Sequence, residues 1–199
     1  MRSFIFAALA LLASCAPSRL QTQQANPEYV GKPFKSVMVV AVTADELVRR
    51  PFEDRMVAML GKRGVKGIPG YSEIASRGKV QEAELRQAIA RSGADGVLIT
   101  RAIRVDRNST TIPGASAVAG VGWVGFYGYY DGVWSTVTTP AQQISGPTWT
   151  LTETRLFDAK NGDLAWTGVV NTRQDDDFNA ALTQYIDVIF DAMVNDRVL

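Results

Sequence analysis

The feature that most constrains the fold is a run of seven residues, 36–42, in which every side chain after the first is apolar. A continuous apolar run of this length predicts a strand that is covered on both faces, as in a sheet flanked by helices. A second run, 95–106, begins apolar and ends in alternation, which predicts a strand buried at one end and half-exposed at the other. Helical patterns over 52–63 and 80–92 separate the strand-like runs, so we expect parallel strands joined by right-handed crossovers.

The first helical pattern is bounded by start and stop signals. Thr43 and Glu46 have the spacing of a capping box, in which each side chain bonds a free N–H group at the helix start. Pro51 would break a helix that runs through it but suits the first turn of a new one, so we expect the helix to begin there. Gly64 favours the end of this helix, and residues 65–68 follow as a short strand.

The C-terminal part of the chain returns to a regular pattern after a long irregular stretch. Residues 148–157 and 164–172 predict two strands, and Asn161-Gly162 between them has the composition of a tight turn. An amphipathic helix follows the acidic run 175–177. The predicted fold class is α/β with a mixed sheet. Its order is β-α-β-α-β, a Gly/aromatic insertion, a β-hairpin and a C-terminal α, with the helices packed on the sheet.

The first 14 residues predict a secretory signal peptide. Arg2 supplies a basic start and residues 4–13 are an apolar run of ten, whereas a membrane-spanning helix needs about 20 residues. The sequence LASC at 12–15 resembles the bacterial lipobox, which directs cleavage between Ser14 and Cys15 and attachment of lipid to Cys15. Two alternatives stay open, a plain signal peptide with a chance cysteine and a cytosolic protein with an apolar start.

The lipobox implies a protein held at a membrane by acyl chains, palmitate among them, on Cys15. Cys15 is the only cysteine of the chain, so a lipid there consumes what would otherwise be a free thiol in an oxidising compartment. Ala16 differs from the Asp that resembles an inner-membrane retention signal in enteric bacteria, so we expect the outer membrane, facing the periplasm. Residues 15–33 predict the lipidated N-terminus and a flexible tether, with an irregular strand around Tyr29 as the alternative.

Composition excludes several classes of chemistry. The chain has no histidine and one cysteine, which excludes a Ser–His–Asp triad, an imidazole metal site and an intrachain disulfide. Lys and Arg number 21 against 20 Asp and Glu, so there is no global basic footprint for nucleic acid. We therefore expect no enzyme activity, no cofactor, no metal and no nucleic-acid partner.

Carboxylates are the groups that could still support catalysis or hold a cation. A hydrolase would need Glu153 paired with Asp106 or Asp158, and nothing in the sequence brings these residues together. The acidic run 175–177 has the ligand type that a hard cation prefers. It lacks the spaced ligands of a calcium loop, so a solvated helix start is the favoured interpretation.

An insertion at 111–147 interrupts the single domain that we expect over 34–199. The insertion contains seven glycines. Glycine-spaced aromatic side chains suit a protein-binding surface or a membrane interface. A loop folded over the domain's own core, or a segment without structure, is the alternative. The candidate interaction residues are the six clustered aromatics Trp123, Phe126, Tyr127, Tyr129, Tyr130 and Trp134.

Several stretches together are similar to one family. They are the lipobox, SVMVVAV, FEDRMVAML, GADGVLITRAIRV, the aromatic insertion and LFDAKNGDLAWTG. In this combination the chain resembles an uncharacterised bacterial lipoprotein family whose domain is similar to the α/β fold of TolB amino-terminal domains and related envelope-assembly lipoproteins. The resemblance covers nearly all of the chain after the signal peptide. It offers no catalytic motif, so it implies no catalytic residue.

Together these features predict a lipid-anchored, periplasm-facing, non-catalytic envelope lipoprotein of undetermined oligomeric state. It would use the insertion to bind an envelope protein, whose identity the sequence does not give, or the membrane surface. Deletion of residues 122–134 is then expected to abolish partner binding and to leave folding intact. The alternatives are a small-ligand binding module whose aromatics close over a pocket and a carboxylate-dependent hydrolase of an envelope polymer.

Overall fold

The computed structural model describes residues 18–76, 78–107, 125–135, 148–174 and 177–199. Six strands form one mixed sheet in the order β1-β6-β5-β4-β2-β3, and helices accompany it, which confirms the predicted α/β fold class. In chain order the elements are β1 (Ser18–Ala25), β2 (Ser36–Ala41), α1 (Glu46–Lys62), β3 (Lys66–Pro69), α2 (Gly70–Glu73), α3 (Glu82–Ser92), β4 (Gly96–Arg107), α4 (Phe126–Ser135), β5 (Thr148–Asp158), β6 (Leu164–Gln174) and α5 (Phe178–Asn195).

The sheet is parallel on one side and antiparallel on the other. β2 lies between β3 and β4 and runs parallel to both, as predicted for the early strands. β4, β5, β6 and β1 then follow as antiparallel neighbours. The predicted hairpin of β5 and β6 is confirmed, and Gly162 in its turn has a φ of 79°, a left-handed conformation that glycine adopts without strain.

Helices cover both faces of the sheet. α1 and α5 pack on one face, where the core includes Leu98, Leu156 and Trp166. α3 and α4 pack on the other face, around Ile99 and Phe157. Successive strand residues point to opposite faces, so neighbours such as Leu98 and Ile99 are buried in different layers. This double cover explains why β2 is apolar at every position after its first.

The helix α1 begins differently from the sequence prediction. Asp45 caps it, and the Asp45 carboxylate accepts a hydrogen bond from the Leu47 N–H at 2.9 Å. Thr43 lies outside the helix, and its hydroxyl accepts from the Asp45 N–H at 3.1 Å. The predicted capping box of Thr43 and Glu46 is therefore wrong. Asp is a stronger N-cap than Thr, and both residue types are present in this short stretch.

Pro51 lies inside α1 without ending it, so the predicted break there is wrong. A proline in a helix interior forfeits a backbone hydrogen bond, here to the Leu47 carbonyl, and costs about 3 kcal/mol. Two contacts offset this cost. Phe52, which follows the proline, is buried in the core. Arg49, two residues before the proline, donates a hydrogen bond from Nε to the carboxylate of Glu53, two residues after it, at 3.3 Å.

The strand β1 lies where the sequence predicts a flexible tether. It pairs antiparallel with β6, and the Ser18 hydroxyl donates to the Thr172 hydroxyl at 3.1 Å. The tether predicted over 15–33 is therefore wrong for Ser18–Ala25, and the folded domain reaches back to residue 18 rather than 34. An edge strand is stabilised by its ladder with one neighbour, so a glutamine-rich segment forms it without an apolar pattern.

Several predicted features lie outside the described residues. They include the signal peptide, the cleavage site at Ser14, the lipidated Cys15 and the aromatic Trp123, and all of these stay predictions. Within the described ranges, the insertion forms α4. No helix in those ranges is long and apolar enough to cross a membrane.

Candidate functional site

The helix α4 carries five of the six candidate interaction residues, and it packs on the sheet. Phe126, Tyr129 and Tyr130 are buried, and the rings of Phe126 and Tyr129 lie 5.5 and 5.4 Å from that of Phe157. The expectation that these three side chains present an adhesive surface is therefore wrong, because they belong to the domain's own core. Deletion of 122–134 would remove core residues, so it is not expected to leave folding intact.

A buried cluster of charged side chains joins α4 to the sheet. Glu153 is fully buried, and each of its carboxylate oxygens accepts two hydrogen bonds. Arg101 Nε and the Tyr129 hydroxyl donate to Oε2 at 2.9 and 2.8 Å, and Arg155 Nε and Nη2 donate to Oε1 at 3.0 and 2.8 Å. Strand register creates this arrangement, because Arg101 lies opposite Glu153 and Arg155 follows two residues later on the same face.

The cluster fixes the charge of its members. Burial alone would raise the pKa of Glu153, but the guanidinium groups of Arg155 and Arg101 hold this pKa below its ordinary value. Burial, together with the negative charge of Glu153, raises the pKa of Tyr129 well above its ordinary range. Glu153 is thus an anion and Tyr129 a neutral donor. The Arg155 guanidinium also lies 4.3 Å from the centroid of the Tyr129 ring, a cation–π contact.

The carboxylates that a hydrolase would need do not converge. Glu153 already accepts four hydrogen bonds, so it is not available as a base. Asp158 lies five residues further along β5, about 17 Å away, where its carboxylate accepts from the Lys160 N–H at 2.7 Å. Asp106 lies opposite Trp149, four residues from Glu153 in the other direction. These positions favour a structural role for Glu153.

A second buried ion pair, between Arg49 and Glu53, ties α1 to its surroundings. Glu53 accepts from the Ala41 N–H at 3.0 Å and from the Tyr71 N–H at 2.8 Å. Arg49 donates to the carbonyl of Ile74 at 3.1 Å. Burial raises the pKa of Glu53 above its ordinary value. Because both side chains bond backbone groups of their own domain, this pair is a structural clamp between α1, β2 and the segment around α2.

An open groove of about 660 Å³ lies at one end of the sheet. It is bounded by the starts of β2 and β4, the turn after β5, the end of α3 and the start of α4. Buried Phe34 and Ile89 supply apolar lining, and half-buried Tyr29 and Tyr127 supply aromatic lining. An apolar lining with a few polar groups is typical of binding sites for small molecules and peptide segments.

The aromatic lining is held in place by contacts within the domain. The Tyr29 ring stacks on Phe34 with 6.0 Å between centroids and 14° between planes, and its hydroxyl donates to Asp158 at 3.3 Å. The Arg86 guanidinium lies over the Tyr127 ring, 3.6 Å from its centroid. These contacts fix the positions of the lining side chains, which lowers the entropic cost of binding a ligand.

The polar groups of the groove differ in the hydrogen bonds that they can still form. The Asp95 carboxylate accepts from the N–H groups of Lys35 and Ser36 at 3.0 and 2.8 Å, so its acceptors are used by the backbone. Lys32 and Lys160 are exposed at the rim, and neither forms an ion pair with a described residue. Lys32 and Lys160 therefore offer ammonium donors at the rim, which prefer a carboxylate or another anion.

One of the predicted interaction residues lines this groove. Of the candidate aromatics, Tyr127 reaches it, whereas Trp134 is half-buried and packs against Tyr130 with 6.2 Å between ring centroids. Tyr29 is not among the candidate aromatics, because it lies in the segment predicted to be a flexible tether. An aromatic residue in an otherwise polar, proline-flanked stretch was the available signal.

The acidic run before α5 serves as a helix start where it is described. Asp177 caps the helix, and its carboxylate accepts from the Ala180 N–H at 3.0 Å, as the favoured interpretation predicts. Residues 175 and 176 lie outside the described ranges. Within those ranges no group of three or more His, Cys, Asp or Glu side chains could hold a metal ion.

Comparisons with known proteins give low similarity. No family model and no curated protein matches the chain. A PelC dodecamer structure from Paraburkholderia phytofirmans aligns over 92% of this chain and 99% of its own, at 11% identity and a TM-score of 0.48. Lipoprotein GNA1162 from Neisseria meningitidis aligns over 80% of this chain and 98% of its own, at 14% identity and a TM-score of 0.43. The hypothetical protein CT253 from Chlamydia trachomatis aligns over 80% of this chain and 92% of its own, at 9% identity and a TM-score of 0.36.

These structural neighbours include one protein that is named a lipoprotein. At such identities a likeness concerns the fold and transfers no activity, ligand or partner. The resemblance to TolB amino-terminal domains is tested by none of these comparisons and stays a prediction.

Proposed function

We propose that the protein is a lipid-anchored, non-catalytic binding module of the bacterial envelope, which holds a segment of a partner protein in the groove. The observation that supports this most is that Ser18, the first described residue after Cys15, and the groove lie at opposite ends of the sheet. Ser18, three residues after Cys15, lies opposite Thr172, which lies opposite Thr150. The groove lies at Asp158, eight residues along β5 from Thr150, or about 27 Å.

A lipid on Cys15 would hold the end of the sheet that contains Ser18 close to the bilayer. The chain from Cys15 to Ser18 spans at most about 10 Å, and Ser18 already pairs in the β1 ladder. The groove would then open on the far side of the domain, toward the periplasm. Ala16 differs from the Asp-type retention signal, so the proposed location is the outer membrane.

The lining of the groove suits a peptide segment. Phe34 and Ile89 favour burial of an apolar side chain of the partner, and Tyr29 and Tyr127 offer the aromatic contact area that is common at protein interfaces. Lysine donors at the rim would pair with a carboxylate of the same segment. The proposal includes no cofactor, no metal and no nucleic acid.

The groove also supports a second candidate function, the binding of a small molecule. Its volume of about 660 Å³ lies within the usual range for such sites, roughly 300–1,000 Å³. A small molecule that copurifies with the protein and is detected by native mass spectrometry would favour this function. The hydrolase alternative is disfavoured because Glu153, Asp106 and Asp158 are far apart along their strands.

Affinity capture from detergent-solubilised envelopes tests the proposal. The double variant Lys32→Glu, Lys160→Glu reverses the charge at the rim, and we expect it to capture much less partner protein than the wild type. The control Lys62→Glu reverses an exposed lysine at the end of α1 and is expected to leave capture unchanged. The same proteins in the same amounts with the wild type and the double variant would contradict the proposed groove.

A further inference from the structure

The groove crosses the end of the sheet from one helix layer to the other. Tyr29 and Phe34 at one end pack with the core on the α1 and α5 face. Ile89 and Tyr127 at the other end pack with the core on the α3 and α4 face. A segment bound along the groove would therefore contact both layers of the domain.

Positively charged side chains lie at both ends of the groove. Lys32 lies at the end nearer α5, because the N–H of the preceding Gly31 donates to the Arg197 carbonyl, after α5, at 2.8 Å. Arg86 of α3 lines the opposite end, where its guanidinium lies 3.6 Å from the centroid of the Tyr127 ring. Cations at both ends suit a segment that carries more than one carboxylate.

The carboxylates among the described lining residues already accept hydrogen bonds from the domain itself. Asp95 binds backbone N–H groups at the start of β2. Asp158 accepts from the N–H groups of Lys160 and Asn161 at 2.7 and 3.3 Å, and the Lys160 side chain is the third cation of the lining. The part of the insertion outside the described ranges contains no charged side chain, so it adds no carboxylate to this balance.

Arg86 has the geometry of a carboxylate-binding residue that holds a weak partner. Its Nε and Nη2 both donate to one oxygen of Glu82, at 2.8 and 2.6 Å. The two side chains are 56% and 58% exposed and lie one helical turn apart, and ion pairs of this kind contribute little stability. A carboxylate from a ligand could therefore replace Glu82 at small cost, while the contact with Tyr127 keeps the guanidinium at the groove.

We infer that the groove binds an acidic segment of the partner protein, and that one carboxylate of this segment replaces Glu82 on Arg86. A second carboxylate pairs with Lys32 at the other end, and an apolar side chain between the two lies against Phe34 and Ile89. This specificity rests on the proposed function, to which it adds the charge of the segment and the residue that selects it. Charge complementarity with the three lining cations favours an acidic segment over a neutral or basic one.

Selection from a phage-displayed library of random peptides tests the charge of the segment. The full acylated protein in detergent is the target, and peptides that also bind the Tyr127→Ala variant are discarded. We expect the remaining peptides to carry Asp or Glu on both sides of an apolar residue. Remaining peptides without acidic residues would overturn the inference and leave the peptide-binding groove intact. If no peptide remains, the proposed function itself is contradicted.

Fluorescence anisotropy with one enriched acidic peptide tests the role of Arg86. Arg86→Gln should weaken binding about tenfold, because a charge-assisted hydrogen bond is lost. Arg86→Lys keeps the charge without the planar fork, so it should weaken binding less. Glu82→Gln removes the competing carboxylate and should tighten binding about twofold. Weaker binding by Glu82→Gln would overturn the replacement of Glu82 by the ligand.

Arg50→Gln is the matched control for the loss of an exposed arginine. Arg50 also pairs with a glutamate one turn earlier, Glu46, at 2.7 Å. Its guanidinium also lies over a tyrosine ring, 4.7 Å from the centroid of Tyr71, but α1 does not line the groove. Binding by this variant should equal that of the wild type. Equal affinities of the wild type and Arg86→Gln, both folded by circular dichroism, or equal losses in Arg50→Gln and Arg86→Gln, would overturn the inference.

Discussion

Glu153 links the aromatic helix to the sheet through charge as well as through packing. Its carboxylate is inaccessible to water and is shared between Arg101, Arg155 and the Tyr129 hydroxyl. Solvent and salt screen an ion pair at this depth much less than one on the surface. Each member is costly to leave unpaired, because a buried charge without its partner keeps its desolvation penalty. The cluster is therefore a point at which one substitution has a large effect.

Removing the charge of Glu153 is expected to destabilise the domain strongly. Glu153→Gln keeps the shape of the side chain but leaves two guanidinium groups facing a neutral amide, which should lower the free energy of unfolding by about 3–5 kcal/mol. Urea denaturation followed by circular dichroism measures this change. The control Glu82→Gln removes the exposed partner of Arg86 and should cost less than about 1 kcal/mol. Equal losses in the two variants would contradict a special role of the buried cluster.

The same carboxylate makes stability depend on pH in a defined direction. The folded pKa of Glu153 lies below its ordinary value of 4.5, so its contribution is fully present above pH 4.5 and is lost as the pH falls through the folded pKa. We expect the difference in unfolding free energy between the wild type and Glu153→Gln to shrink below about pH 4.5. A difference that stays constant from about pH 7 to about pH 3 would show that the carboxylate does not titrate in this way.

At the scale of the element, α4 is a helix in a segment whose local sequence disfavours one. Gly128 and Gly132 each cost about 1 kcal/mol relative to alanine inside a helix. Burial of Phe126, Tyr129 and Tyr130 is worth roughly 1.5–3 kcal/mol for each side chain. Tertiary packing therefore exceeds the local preference, which explains why a glycine-rich stretch becomes part of the core.

Two neighbouring substitutions in α4 separate stability from binding. Phe126→Ala removes a buried ring and should lower the free energy of unfolding by about 3–5 kcal/mol. Tyr127→Ala truncates a half-buried residue of the groove and should cost no more than about 1–2 kcal/mol, yet reduce partner capture. Urea denaturation and affinity capture of both variants measure the two effects. A Tyr127→Ala variant that captures its partner normally would remove this residue from the site.

The sequence predicts the strands whose own apolar side chains pack in the core. It does not predict the strand that is held mainly by backbone pairing with a distant segment. β2 and β4 are covered on both faces, so they have continuous apolar runs. β1 is polar because its stabilisation comes from the ladder with β6, a strand far away in the chain. The groove combines Tyr29, Tyr127 and Lys160 from three separate segments, and no local pattern indicates that these residues meet.

At the scale of the whole molecule, the proposed arrangement is a short and rigid spacer. The ladder from β1 through β6 to β5 connects the end nearest Cys15 with the groove, and no long tether intervenes. A partner bound in the groove would be held at a set height above the membrane rather than within a wide radius. This differs from the flexible tether expected from the sequence, and it follows from the position of β1.

Photo-cross-linking in living cells from position 127 tests the central claim most directly. A photoreactive amino acid in place of Tyr127 is expected to give a discrete adduct with an envelope protein, whereas the same amino acid in place of Lys62, on the exposed end of α1, should not. Adding Cys15→Ala should release the domain from the membrane fraction and reduce the adduct. An absent adduct at position 127 in the lipid-anchored protein, or the same adducts from both positions, would contradict the account.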